Sequence, residues 1–378
     1  MLSELQLEGF KCFDRLHLDL RSLTLLTGSN GGGKSTVIQA LALLAETVGT
    51  REWSQVLPLH GSGFSLGSAA DVLSQTSSRK EMAFGLRAER EFVRWTFRAS
   101  DRRSLALKLV AFEYNGVSAS IDPPVRWLMP AKIAEQSTVA SALSRVSWIG
   151  AERTGPRELM PLEEPTARPQ VGARGEGAAG ILYWREGDLV SEALCVVNHP
   201  PTLFHQLRAR MQQFFPGCDL RVNPIDGASA VSLSLRSSPL SEFQRPQNVG
   251  FGLTQLFPIL VALLSATPGD CLLVENPEVH LHPRAQQHVG WLLAAAAASG
   301  VQVVVETHSD HVLNGVRLAV KKGQLQASQA AVHFFSLDAD RGRSQVTSPS
   351  LDADGRLSSW PEGFFDQFDV ALSELLES

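Results

Sequence analysis

The segment Gly28-Ser-Asn-Gly-Gly-Gly33-Lys34-Ser35-Thr36 constrains this chain most, because it satisfies the spacing GxxxxGK[ST] in full. A continuous apolar run, Leu23–Leu26, leads into it, and VIQALALLAETV, with helical apolar spacing, follows. Buried strand, loop, then helix is the context a phosphate-binding loop needs. Glycines let successive backbone N–H groups converge on phosphate oxygens, since no Cβ blocks the approach or a left-handed φ. A helix opening at Lys34 adds the positive end of its dipole. Lys34 is then expected to reach the β- and γ-phosphates, and the Ser35 hydroxyl to ligate Mg2+.

Composition narrows the class around that loop. The chain has 378 residues, 44% of them hydrophobic and 19% charged, enough apolar side chain for a large core. Its net charge of −5 marks no global nucleic-acid coat. The four cysteines, Cys12, Cys195, Cys218 and Cys271, lack metal-type spacing, which argues against a disulfide framework or a structural zinc site. MLSELQLEGF lacks the regions of a signal peptide, and the apolar stretch Phe257 to Ala266 is about half the ~20 residues that span a bilayer. The expectation is a soluble cytoplasmic α/β protein.

The pattern along the chain predicts strands at Leu5–Leu7, Leu16–Leu20 and Leu23–Leu26. An antiparallel meander follows at Met82–Leu86, Phe92–Arg98, Leu105–Tyr114 and Val117–Ile121. A helix over Ala131–Arg145 leads to a short strand, SWIGA. Residues 155–245, rich in Pro, Gly and Arg, read as an inserted arm or helical lobe with one helix, Thr202–Phe215. The β-α-β-α rhythm of CLLVE, Arg284–Ala298, VQVVVET and Asp310–Lys321 indicates a parallel sheet. The domain boundaries expected are 1–154, 155–245, 246–330 and 331–378.

A triphosphate site also needs a carboxylate at the end of a neighbouring buried strand. CLLVENPEVHLHP supplies Glu275 there. His280 and His282 form an HxH without a third ligand, which favours turn or dimer-contact roles over a metal site. After the next strand, Glu306-Thr-His308-Ser309-Asp310 places His308 as a γ-phosphate sensor. In AERTGPRE, Arg153 and Arg157 are either structural or reach phosphate or a partner subunit.

Walker A loop, long insertion, Gly-rich signature before a helix, Walker B and histidine switch together resemble ABC-type ATPase heads. Within them the chain is similar to the RecF-like and OLD-like (overcoming lysogenization defect) group of bacterial AAA ATPases. LEGFKCF, GSNGGGKST, AERTGPRE, VGFGLTQLFPIL, ENPEVHLHPRAQ and ETHSDHVLNGVR carry the likeness at both ends of the chain. WPEGFFDQ resembles the ending of a subgroup with a small C-terminal domain of unknown function. The implied fold is an α/β P-loop NTPase of the ABC-ATPase head type, with a mixed sheet, an antiparallel β-subdomain and an inserted lobe.

The resemblance implies that Gly28, Ser29, Asn30, Gly31, Gly32, Gly33, Lys34, Ser35 and Thr36 bind phosphates, with Lys11 near the nucleotide. It places Gly250, Gly252 and Thr254 where a signature loop contacts the γ-phosphate bound by the opposite subunit. Glu275 would be the Walker B acid, sharing Mg2+ with Ser35, and His308 the switch. It further implies ATP and Mg2+ as cofactors and a homodimer, or a larger assembly of dimers, that sandwiches ATP. A signature-helix N-terminus would then offer its dipole and N–H donors to charge developing on the phosphoryl group.

One position departs from the pattern. ABC-type heads place a second acid directly after the Walker B acid, and here that residue is Asn276. An amide orients water but accepts no proton at neutral pH. Glu278, beyond Pro277, substitutes if the turn folds it back. Gln75 is a candidate for the Q-loop, and Phe10 either stacks on adenine or belongs to the core. Asp338–Asp340 and Asp352–Asp354 imitate the DxD of a TOPRIM nuclease but read as hairpin turns. The leading functional expectation is an ATP-driven regulatory subunit of a bacterial anti-phage system, controlling a separate effector (a nuclease or other toxin) encoded nearby. The alternatives are a RecF-like ATPase that closes on DNA and a nucleotide-gated clamp with little hydrolysis.

Overall fold

Leu5, Leu7, Leu16 and Leu18 alternate with polar residues, and that period of two closes the first hairpin. Strand Leu2–Phe10 pairs antiparallel with Phe13–Asp19, setting Leu5 opposite Leu18 and Leu7 opposite Leu16. The computed structural model describes residues 1–61, 63–74, 80–122, 124–164, 168, 170–338, 343–361, 364–365 and 367–376. Two units are distinguished: Met1–Val146 with Glu306–Asp310 and Gln326–Ser378, and Ser147–Val305 with His311–Leu325.

In the first unit the hairpin opens a seven-stranded antiparallel sheet. Leu2–Phe10 pairs with Glu81–Ala88, and Glu91–Arg98 and Ala106–Tyr114 follow, the meander the alternation predicts. Phe84, Trp95, Phe97 and Phe112 fill its buried face, and Phe10 joins them edge-on to Phe84 at 5.0 Å. Phe10 is therefore core, and the adenine-stacking alternative falls away.

Leu23–Gly28 is buried on both faces and runs parallel to Ala330–Asp338, with Leu25 opposite Val332 and Gly28 opposite Phe335. Ala330–Asp338 pairs antiparallel with Arg343–Thr347; of the first DxD segment, Asp338 ends the strand and Asp340 lies outside the described residues. The second segment is a turn, in which Asp352 Oδ1 accepts from the N–H groups of Asp354 and Arg356 at 2.9 and 2.8 Å.

The helix expected over Ala131–Arg145 is two short ones, Ala131–Ala134 and Thr138–Leu143. The break has a tertiary cause. Buried Glu91 accepts from Ser137 Oγ and Thr138 N, both at 2.6 Å, and from Val139 N at 3.2 Å, while Ser137 Oγ accepts from Ala140 N at 3.0 Å. A carboxylate 46 residues away thus fixes a new helix start.

The second unit takes in strand Val146–Ile149 from Ser147 on, strand Cys271–Glu275, and strand Gln302–Glu306 up to Val305; they lie in that order, and the last two are buried throughout. Phe251–Ser265, Pro283–Ala298 and Asp310–Lys321 are helices. The latter two approach until only glycine fits: a Cβ on Gly290 would collide with the Val312 carbonyl, and one on Gly315 with the Gln287 carbonyl. The reading of a single helix in residues 155–245 is corrected: they hold the expected helix, at Leu203–Phe214, but also a second helix, Ala178–Arg185, and a three-stranded antiparallel sheet. Its central strand, Ala230–Arg236, alternates with Val231, Leu233 and Leu235 buried, a period of two visible in AVSLSLR. Asp219 ties sheet to helix: Arg208 donates to both of its oxygens at 2.6 and 2.8 Å, and Arg236 donates at 2.9 Å. Among the described residues no helix is long and apolar enough to cross a membrane.

Two stability predictions follow from these contacts. Gly290→Ala should cost about 1–3 kcal/mol by overpacking, read as a lower urea midpoint at constant m; an unchanged midpoint would show that the two helices separate freely. Burial by itself raises the Asp219 pKa, but the Arg208 and Leu220 hydrogen bonds and the Arg208 and Arg236 charges outweigh it and leave the group depressed. Its contribution is therefore complete above the ordinary value of 3.8 and is lost as pH falls through the lower folded value. Asp219→Asn should destabilise by about 2 kcal/mol at pH 7, and the difference from wild type should shrink in acid unfolding curves below that range.

Candidate functional site

The strand Leu23–Gly28 delivers the loop, and its partner strand shapes it. Gly28 has a φ of 124°, and any Cβ there would collide with the Phe335 carbonyl, which instead accepts from Ser29 N at 2.9 Å. Gly33, at a φ of 101°, caps the helix Lys34–Thr50; a Cβ there would sit 2.7 Å from Cys12 Sγ. Both positions demand glycine for conformation and for space. Ser29, Asn30 and Gly31 form the exposed crown of the loop, and Gly32 is buried below it. Gly32 N donates to Ser29 O at 3.3 Å and Thr36 N to Gly33 O at 3.1 Å. The Lys34 ammonium lies under the crown, 3% exposed, donating to Gly28 O at 3.1 Å and Ser29 O at 2.8 Å.

The segment Glu306–Asp310, which carries His308, the expected switch residue, belongs to the same unit as this loop. Thr307 N donates to Leu26 O at 3.0 Å, which anchors the segment on the loop strand. Ser35 Oγ donates to Glu306 Oε1 at 3.0 Å, and His308 Nε2 lies 4.0 Å from that oxygen. Glu306 is 4% exposed. Its position beside Ser35 was invisible in the sequence, where its only signal is an acid at the end of a buried strand. Lys11, in a left-handed conformation at a φ of 52°, donates from Nζ to Gln39 Oε1 at 2.6 Å, on the helix that the loop opens. Burial pushes the Lys11 pKa down, with Cys12 and Asp71 opposing. Gln75 lies outside the described residues.

The hydroxyl of Ser35 and the carboxylate of Glu306 are hard oxygen donors that fit Mg2+. The ammonium of Lys34 and the glycine cradle that Cβ atoms would fill fit a polyphosphate. These residues of the first unit match the nucleotide–Mg2+ chemistry expected of the motif.

In the second unit Glu275 ends the strand Cys271–Glu275, 8% exposed. Its Oε1 accepts from Trp148 Nε1 at 3.0 Å and its Oε2 from Ala151 N at 3.4 Å. Asn276 adopts a φ of 44°, which turns the chain sharply after the acid. Arg153 pins that turn: it donates to Glu275 O at 2.7 Å, Asn276 O at 2.9 Å, Gly150 O at 3.2 Å and Gln255 Oε1 at 3.2 Å. Burial pushes its pKa down to about 10, against the charges of Glu278 and Glu275, so it stays charged near neutrality. Of the two arginines in AERTGPRE, Arg153 is thus structural, and Arg157 is exposed.

Glu278 is buried, and its charge bears on Arg153. His282 caps the next helix through Nδ1, which accepts from Arg284 N at 3.3 Å, and the His280 ring packs edge-on to Phe251 at 4.6 Å. Those are the turn roles the HxH pattern favours. Gly250 caps the signature helix Phe251–Ser265, Gly252 packs beneath the His280 carbonyl, and Thr254 Oγ1 donates to Phe251 O at 2.9 Å.

Known proteins are similar to this chain in family and fold. A family model described as "AAA domain, putative AbiEii toxin, Type IV TA system" matches residues 23–314. A second, described as "Protein of unknown function (DUF3696)", matches residues 325–375. The chain is similar to the DNA replication and repair protein RecF of Thermomicrobium roseum, 34% identical over 261 residues, which are 64% of this chain and 63% of that protein. It thus spans about 63% of the length of the curated relative it matches. Two solved structures are also similar. One is an Smc head bound to the C-winged helix domain of ScpA, with a TM-score of 0.55 at 15% identity, covering 93% of this chain and 98% of that one. The other is an Smc head with an extended coiled coil bound to the C-terminal domain of ScpA derived from Pyrococcus furiosus, with a TM-score of 0.54 at 14% identity, covering 100% and 98%. At such identities the structural likeness speaks for the fold alone. The chain belongs to the AAA-domain family of that first description, built on the fold of an ABC-type ATPase head.

Proposed function

We propose that the protein binds ATP with Mg2+, hydrolyses it slowly as a homodimer, and acts as a cytoplasmic regulatory subunit that controls a separate effector chain in bacterial defence. The observation that carries the ATPase reading is one cluster: the buried Lys34 ammonium under the glycine crown, with Ser35 Oγ and Glu306 Oε1 3.0 Å apart beside it. Lys34 neutralises phosphate charge, and the N-terminal amides of Lys34–Thr50 hold the oxygens. Bound Mg2+ supplies further charge neutralisation on the phosphoryl oxygens. Gly250, Gly252 and Thr254 present a helix N-terminus to the nucleotide of a second copy, and Glu275 serves as the Walker B acid. His308 senses the γ-phosphate, and Lys11 borders the nucleotide from the first hairpin.

Slow turnover follows from Asn276, which orients water without accepting its proton; the missing base costs about 10²–10⁴-fold. The defence role draws support from the family description, which names a toxin and a toxin–antitoxin system. A second reading, an ATPase that closes on DNA, is favoured by the likeness to RecF.

Lys34→Ala should weaken binding of a fluorescent ATP analogue roughly 30- to 150-fold, the loss of a charge-assisted contact worth about 2–3 kcal/mol. Retained affinity would end the ATPase reading. Turnover should rise more steeply than linearly with protein concentration below the dimerisation constant, whereas strictly linear turnover would remove the homodimer. DNA affinity falling steeply on a log–log plot against salt would select the RecF-like reading over the effector one.

A further inference from the structure

Glu306 is a buried carboxylate to which the motif pattern gives no part of its own. It ends the strand Gln302–Glu306, is 4% exposed, and sits on a segment anchored by the Thr307 N to Leu26 O bond. Removing a carboxylate from water costs several kcal/mol unless donors or a cation repay it. A neutral side chain would fill the same space more cheaply, so packing alone does not account for an acid. The Ser35 hydroxyl donates to Oε1 at 3.0 Å. Ser35 is the residue whose hydroxyl the phosphate-loop spacing assigns to Mg2+. Mg2+ dehydrates reluctantly, keeps several waters, and is held through one or two carboxylates beside its phosphate oxygens. A buried acid within hydrogen-bond reach of the metal-ligating serine is the group that chemistry calls for.

We propose that Glu306 is a positioning residue for Mg2+, a carboxylate that orients Ser35 and holds the water shell of the metal on the phosphate-loop side. This rests on the nucleotide-binding reading above. Glu306 joins Ser35, within the first unit, as a residue that selects a hydrated divalent cation. His308, 4.0 Å from the same oxygen, places the switch next to the metal shell as well as to phosphate.

The test uses the full chain, a fluorescent ATP analogue bound in EDTA, and a titration with MgCl2 read by the change in fluorescence. Glu306→Gln should raise the Mg2+ midpoint about 10- to 100-fold, the usual effect of losing an outer-shell partner of a metal. Its affinity for the analogue in EDTA should not fall below that of wild type, because Lys34 and the loop are unchanged and the variant removes a negative charge next to the phosphates. Combined with Ser35→Ala, it should shift the midpoint by less than the sum of the two single effects, since both groups serve one ion. Glu306→Asp, which keeps the charge, should fall between wild type and Gln and gives the reading if the Gln variant does not fold. An unchanged midpoint in Glu306→Gln, or in Glu306→Asp if that variant alone folds, would overturn the proposal and leave the ATPase reading standing. Wild-type protein that binds no analogue with or without Mg2+ would overturn the ATPase reading itself.

Discussion

The pairing of Leu23–Gly28 with Ala330–Asp338 is the contact from which the rest of the site takes its shape. It brings the Phe335 carbonyl directly over Gly28, where no side chain fits, and that carbonyl receives the Ser29 amide. The loop is thereby held by a strand about three hundred residues away in sequence, and its glycines are demanded from outside as well as by their own torsions. Lys34 is then confined beneath the crown with its ammonium on loop carbonyls. A buried ammonium held this way is preorganised, so less reorganisation is needed when phosphate oxygens compete for it.

A different device orders the acid in the second unit. Glu275 and Asn276 are held at their backbone carbonyls by one guanidinium, Arg153, whose fixed fork reaches four acceptors. Lysine could not reproduce this geometry, because its single ammonium lacks the planar fork. Trp148 and the Ala151 amide then settle the Glu275 carboxylate. Charge in this region is organised by burial together with specific donors, and the positive φ of Asn276 is part of the same turn. An asparagine tolerates that backbone conformation well, which gives it a structural use alongside its chemical shortfall as a base.

The proposed function requires coupling between a nucleotide and a partner surface. Under that proposal slow chemistry would suit a switch, since a long-lived bound state would let a partner respond before hydrolysis reset it. Within the first unit the segment Glu306–Asp310 is tied to the loop strand by one hydrogen bond, and Glu306 links it to Ser35. A change in metal or phosphate occupancy would be felt along Glu306–Asp310 through these contacts. The segment leads directly into the helix Asp310–Lys321.

Local sequence was enough to mark the phosphate loop, the buried strands and most helices. Glycine spacing, apolar runs and the periods of two and 3.6 are short-range consequences of backbone geometry. The helix Asp310–Lys321 and the meander could be read for that reason. The broken helix after Ala131 could not, because Glu91 caps its second half from another strand. The strands within residues 155–245 carried a readable alternation in AVSLSLR, obscured by the surrounding Pro and Gly. As candidates, Lys34, Ser35 and Glu275 stand out by motif. The structural duty of Arg153, the core position of Phe10 and the bond between Ser35 and Glu306 were decided by tertiary structure alone. A motif encodes what one stretch of backbone can do, whereas a partner's identity depends on which distant strands the fold sets side by side.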